Sequence, residues 1–360
     1  MPASAWNRIL QDVIRLQQED QQQPAAPGQP SRQDHYRRSK IAAVEKVTGR
    51  RLIVYASACT SPAKAVSIDM LMMDPSDKIG FKAVTENIPG PNLDVLLHSP
   101  GGYPDAVESL VQQLRGKYTS VRFIVPSYAK SAATMLAMSG NEILMDTDAE
   151  LGPIDPQMRT QTGASPAEAI LEQFQKAQAE LQQDATKLPG WMPILSQLGP
   201  SLLVDCGHAI DLAKILVKDW TKRYMLSDDP DAEVKSTRIA DYLSDHGRFK
   251  SHGRPIKIPD LQPLGVRVGD TRTNPALQTA VNELYCCLDI LLGNSPVFKL
   301  FENSAGDALI RQTATFQAQF IQAIPAPPPV APPRPLSAGA IRVVDSVLRA
   351  RVPESAIRRD

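Results

Sequence analysis

The sequence predicts an α/β fold with a largely parallel sheet, followed by a helical C-terminal part. Three observations carry that expectation. Strand-like apolar runs recur through the first half: "RRLIVYASA" from Arg50, "NLDVLLHSP" from Asn92, "SVRFIVPS" from Ser120 and "NEILM" from Asn141. Helix-like segments separate them, at about 75–87, from Pro104 to Lys117 and from Ser131 to Met138. From Pro166 onward the apolar periodicity becomes helical over long stretches. Strands alternating with helices at such distances argue for right-handed βαβ units.

Each segment follows from its pattern. Residues 5–19, "AWNRILQDVIRLQQE", set Trp6, Ile9, Leu10, Val13 and Ile14 at helical spacing, which predicts an amphipathic helix docking on its own chain or on a partner. Residues 20–38 are polar and carry prolines, so they read as a linker, with the core starting near residue 40. Between Pro104 and Lys117, Ala106, Val107, Leu110, Val111 and Leu114 share one helical face. Two long helices are expected over 166–187 and 201–226, another over about 275–292, and an apolar-periodic stretch over about 305–323. "PAPPPVAPPRP" then favours polyproline II, as a spacer or a ligand for a proline-binding domain, and "AIRVVDSVLRARV" reads as a short helix. The resulting division is 1–39 (helix and linker), 40–272 (main domain with a helical insertion), 273–323 (C-terminal helices) and 324–360 (proline-rich linker and tail).

Composition bounds the function. Among 360 residues, 42% are apolar, enough for a real core, and 39 Lys plus Arg balance 39 Asp plus Glu. That balance carries no footprint for nucleic acid or anionic membrane. Cys59, Cys206, Cys286 and Cys287 form no metal-binding spacing, and the vicinal pair reads as buried thiol. No signal-peptide core and no run approaching the ~20 apolar residues of a membrane span is present. A cytoplasmic location is expected, with any membrane association peripheral, through the N-terminal helix or a partner.

Three short pieces carry chemistry. "LLHSPGGYPDA" leaves a strand with paired glycines, Gly101 and Gly102, which let a bound group approach the backbone or simply serve a tight turn. "IVPSYAKSAATMLAMSG" opens a helix with Ser131 among small residues, either as an N-cap or as a nucleophile beside backbone amides. "DAELGPIDPQM" holds Asp155 in a rigid turn set by Gly152, Pro153 and Pro156. The phosphate-loop pattern and the dinucleotide glycine fingerprint are both missing.

In this order, after alternating strands, the three pieces resemble the Clp-protease and crotonase superfamily, and within it the serine dehydrogenase proteinase family. The resemblance is clearest over about 50–160 and weaker to about 270. It implies a fold of repeated ββα units. It also implies an oxyanion hole at Gly101, Gly102 and Ala132, Ser131 as nucleophile, and a serine, aspartate, histidine order with Asp155 as the orienting acid. The Clp proteolytic subunit has its histidine a few tens of residues after the serine; here no histidine lies between Ser131 and His208. The late "SHGRPI" segment resembles the family's H-x-x-P-I stretch, which makes His252 the expected base and His246 the second choice. Of the others, His35 falls in the expected linker, His98 at a strand end and His208 in an apolar helix, where a core role is expected.

The implied activity is hydrolysis of peptide bonds in a peptide or unfolded protein, by a homo-oligomer, without metal or cofactor. Three alternatives stay open. A serine–lysine dyad of the signal peptide peptidase type would use Lys176 or Lys187, with Lys130 adjoining Ser131 but expected to point away. A crotonase-like acyl-thioester enzyme would use the same backbone hole without a nucleophile. A catalytically silent oligomeric scaffold would engage partners through the N-terminal helix or the proline-rich tail.

Overall fold

The computed structural model describes residues 4–313 and 343–348, apart from 27, 65–66 and 161–162. Helices α1 (Ala5–Gln22) and α2 (Arg32–Thr48) precede β1 (Arg51–Ser57), α3 (Ile68–Leu71) and α4 (Asp77–Thr85). Next come β2 (Asn92–His98), α5 (Pro104–Arg115), β3 (Ser120–Val125), β4 (Tyr128–Ala129), α6 (Ala132–Met138), β5 (Glu142–Met145) and β6 (Glu150–Leu151). A hairpin of β7 (Gln157–Thr160) and β8 (Gly163–Pro166) leads into α7 (Ala167–Gln183), α8 (Leu188–Leu195), α9 (Leu202–Trp220) and α10 (Ala232–Ser244). The short α11 (His246–Phe249) and α12 (Ile258–Leu261) follow, then β9 (Val268–Asp270), α13 (Pro275–Asn294), β10 (Val297–Asn303), β11 (Ala308–Thr313) and β12 (Val343–Leu348). These elements form two compact units of mixed α/β structure.

One unit comprises the chain up to Leu71, Gly80–Ile88, and residues from Thr279 on. Its strands run in the order β12-β11-β10-β1, all paired antiparallel. Tyr55, Phe81 and Phe301 cluster in tilted and edge-on contacts with ring centroids 4.9–5.7 Å apart. Gly80 belongs there because a Cβ would come within 2.6 Å of the Phe301 ring. The N-terminal helix docks on its own chain: Ile9 packs on Cys286, Cys287 and Ile290 of α13, and Arg8 pairs with Glu283 at 2.6 Å. Helix α2 opens with a reciprocal capping box between Ser31 and Asp34 and ends at Gly49, whose φ of 66° a side chain would resist. Its Arg37 and Arg38 are buried and converge on the fully buried Glu302 of β10.

The other unit comprises Met72–Ile79 and Pro89–Gln278. Its sheet runs β2-β3-β5-β9 and every pair is parallel. The strands are buried on both faces, so they read as near-continuous apolar runs rather than alternating ones. Helix α5 connects β2 to β3, starts at Pro104 and buries the expected face of Ala106, Val107, Leu110, Val111 and Leu114. Helices α7 and α9 pack together through Ala167, Ile170 and Cys206.

Several expectations are corrected. The parallel character belongs to this second unit, whereas the first is antiparallel. Residues 273–323 are not all helical: after α13 the chain forms β10 and β11. β10 is buried at every position, and a fully buried run shows no period to separate strand from helix. Residues 343–348 of the tail pair with β11 as β12 rather than forming a helix. The expected linker over 20–38 is interrupted from Arg32 by α2, whose charged face is buried through ion pairs that composition hides. His35 therefore lies on a helix, exposed, and His208 is exposed on α9 rather than in the core. The proline run at 325–335 lies outside the described residues.

Candidate active site

The site is assembled by loops at the C-terminal ends of the parallel strands, where an open α/β sheet leaves a crevice. After β2, the Ser99 amide donates to Tyr128 O at 2.9 Å, and the Lys130 amide donates back to Ser99 O at 3.1 Å. The next residues are strapped by Met73, whose amide donates to Gly101 O at 2.7 Å and whose carbonyl accepts from Tyr103 at 2.9 Å. Gly101 has φ of +99°, and a Cβ on it would lie 2.5 Å from Lys130 O, 2.8 Å from Ser131 Cβ and 2.9 Å from Ala132 N. A Cβ on Gly102 would meet the Met73 backbone at 2.2 Å. The two glycines thus have no substitute here, and Gly101 lies directly against the Ser131 turn.

Ser131 joins β4 to α6 with φ 51° and ψ −123°, a region that non-glycine residues rarely enter. Such a conformation costs on the order of 1–3 kcal/mol and persists only where surroundings enforce it. Ser131 occupies the N-cap position, yet its hydroxyl makes no capping bond. The turn is held instead by Thr134, whose hydroxyl lies 2.8 Å from Ala129 O and 3.0 Å from Gly152 O and accepts from the Gly152 amide at 3.0 Å. Ala132 begins the helix, and first-turn amides have no acceptor within the helix itself.

Asp155 is 2% exposed, in the turn after β6, and Ile154 anchors that turn by donating to Leu243 O of α10 at 2.8 Å. Its carboxylate is the meeting point of the site. Oδ1 lies 2.6 Å from His252 Nδ1, and Oδ2 lies 3.1 Å from His246 Nδ1 and 3.0 Å from Gln157 Nε2. With Asp155 ionised, each Nδ1 carries the proton, leaving Nε2 of each ring as an acceptor. The histidine loop is fixed by an antiparallel bridge in which Leu151 and Ile256 exchange two 3.0 Å bonds. His246 is further held by its own amide, which donates to Glu168 Oε2 at 3.2 Å.

The lysines are disposed differently. The Lys130 ammonium is buried and donates to Glu150 Oε2 at 2.7 Å, Leu151 O at 3.1 Å and Gly253 O at 3.5 Å. Burial pulls its pKa down, partly offset by Glu150. Lys176 and Lys187 are exposed along and just past α7. His98 is buried at the end of β2, and burial alone pushes its imidazole down to about 4.

The structure therefore brings Gly101 against Ser131 and Ala132, and Asp155 against both His246 and His252. Sequence reasoning missed Gln157, Glu168, Met73 and the tie from Lys130 to Glu150. Gln157 alone left a signal, two residues beyond Asp155 in "IDPQM".

Two uncharacterized proteins of Methanocaldococcus jannaschii are similar to this chain. One is 30% identical over 193 residues, covering 54% of this chain and 58% of its own length. The other is 27% identical over 177 residues, covering 49% and 51%. The chain thus spans between half and three-fifths of the length of the curated relatives it matches. No solved structure matches it. Residues 68–287, which contain the strained serine, the paired glycines and the aspartate with its two histidines, match the ClpP-like SDH-type serine proteinase family, whose membership implies a Clp/crotonase fold, and the chain belongs to that family.

Proposed function

We propose that the protein is a serine peptidase that hydrolyses peptide bonds through an acyl-enzyme on Ser131. The single observation that carries this reading is that Ser131 holds a strained turn without using its hydroxyl as a cap, on the same loop cluster as a buried carboxylate bonded to imidazole. Strain of this kind is a feature of turns that present a nucleophile.

In this reading His252 Nε2 takes the Ser131 proton as Oγ attacks the peptide carbonyl carbon. Asp155 holds Nδ1–H and stabilises the imidazolium that results. Amides of Gly102 and of Ala132, or of Gly101 once it leaves its 3.2 Å bond to Ser99 Oγ, receive the developing oxyanion, each donor contributing roughly 3–4 kcal/mol to the barrier reduction. The imidazolium protonates the departing amine, and water, deprotonated by His252, then releases the acyl group. The substrate is a peptide or unfolded protein, and the working form is a homo-oligomer.

Lys130 supports a serine–lysine dyad poorly, since its three N–H donors face Glu150, Leu151 and Gly253. The test is labelling of the full chain with a fluorophosphonate. Stoichiometric labelling, absent in Ser131→Ala, supports the peptidase. No labelling of the native protein overturns it and favours a thioester enzyme or a silent scaffold.

A further inference from the structure

Lys130 precedes Ser131, yet its side chain serves two other segments. Besides the bonds from its ammonium to Glu150 and Leu151 of β6 and to Gly253, its stem fills the space beside Gly152, where a Cβ would come within 2.6 Å of Lys130 Cδ. Its backbone reaches a third segment through Ser99. Gly253 follows His252 directly, and Gly152 stands three residues before Asp155. The charged groups around the ammonium are Glu150 and, through Glu150 at 3.3 Å, Lys257; the Tyr128 ring lies 5.2 Å away.

An ammonium has three donors and no acceptor. Each donor here faces an oxygen on a segment that carries, or adjoins, a proposed reacting group. We propose that Lys130 is a positioning residue, whose ammonium ties the nucleophile turn to the acid turn and the histidine loop and does not receive the Ser131 proton. The inference rests on the reading of Ser131, Asp155 and His252 given above. It deepens that reading, because the alignment of serine and imidazole then depends on a side chain that touches no substrate.

Two variants test it, Lys130→Met and Glu150→Gln, each measured in two ways. Amide hydrogen exchange of residues 246–256 reports the tie without any activity. It is expected to accelerate about tenfold or more in Lys130→Met, with the folded state checked by thermal melting. Fluorophosphonate labelling across pH reports alignment. Misplacement by an ångström costs roughly 10²-fold, so Lys130→Met is expected to label about that much more slowly, and Glu150→Gln more slowly than the native chain, both with the acid limb unmoved. A lysine base gives the opposite sign in Glu150→Gln. Losing the counter-ion lowers the ammonium's pKa, moves the acid limb to lower pH and raises the neutral rate. That outcome, or unchanged exchange in Lys130→Met, overturns the proposal. Failure of the native chain to label sinks the Ser131 reading instead, while exchange still decides the tie.

Discussion

His252 Nδ1 and Asp155 Oδ1 lie 2.6 Å apart, while the other oxygen of the same carboxylate meets His246 at 3.1 Å. Asp155 is buried in a turn walled by two prolines, so it cannot swing to favour one ring at the other's expense. One acid fixes the tautomer of two imidazoles, and replacing it disturbs both. Asp155→Asn keeps the volume but presents an amide donor to one ring. Peptide hydrolysis or labelling is expected to fall on the order of 10⁴-fold; a drop below tenfold would show that the acid is merely structural.

The two histidines should separate on mutation. His252→Ala is expected to reduce labelling to near the Ser131→Ala level. His246→Ala should cost about tenfold, since it leaves the His252 pair in place and removes only a neighbour of Asp155. Labelling rates of the two variants, side by side, decide between them. The reverse order would make His246 the base.

Gly101→Ala tests the close approach of the first turn to the serine. The added methyl would meet Lys130 O at 2.5 Å in a conformation with φ of +99°. Overpacking of this kind costs about 1–3 kcal/mol, read as a lower urea midpoint with unchanged slope. Labelling should fall further than stability alone requires, because relief of the clash displaces Ser131 Cβ, 2.8 Å away.

Acid sensitivity is expected to come in part from Asp34. Burial pushes its carboxyl up, but the Arg37 guanidinium and the Ser31 donors outweigh that and hold it below the usual range. A folded value below the unfolded one means that stability is full above about pH 4 and is lost as pH falls through the folded value. The melting temperature of the native chain should therefore drop more steeply between about pH 5 and 2 than that of Asp34→Asn. Parallel curves would remove Asp34 from the account.

What the sequence disclosed and what it hid follow one division. The strands β2, β3 and β5 and the helix face around Val107 were legible because local periodicity and flanking Gly and Pro report them. The family was legible through the resemblance of the three short motifs. The sharing of Asp155 by two rings was not, since it depends on a bridge between residues about a hundred positions apart, Leu151 with Ile256. β10 was misread because a segment buried on both faces loses its period. Arg37 and Arg38 disguised a packed helix as linker, for it is the presence of Glu302, some 265 residues onward, together with Asp34 beside Arg37, that makes their burial tolerable.

The strand β1 has a consequence for how the protein is made. Its partner β10 begins about 240 positions after β1 ends. At translation rates of roughly 5–20 residues per second, that wait lasts on the order of 10–50 s. During it β1 waits for its antiparallel partner, whereas β2, β3, β5 and β9 all emerge earlier than β10. The parallel sheet thus has its full set of strands before the antiparallel one can be completed.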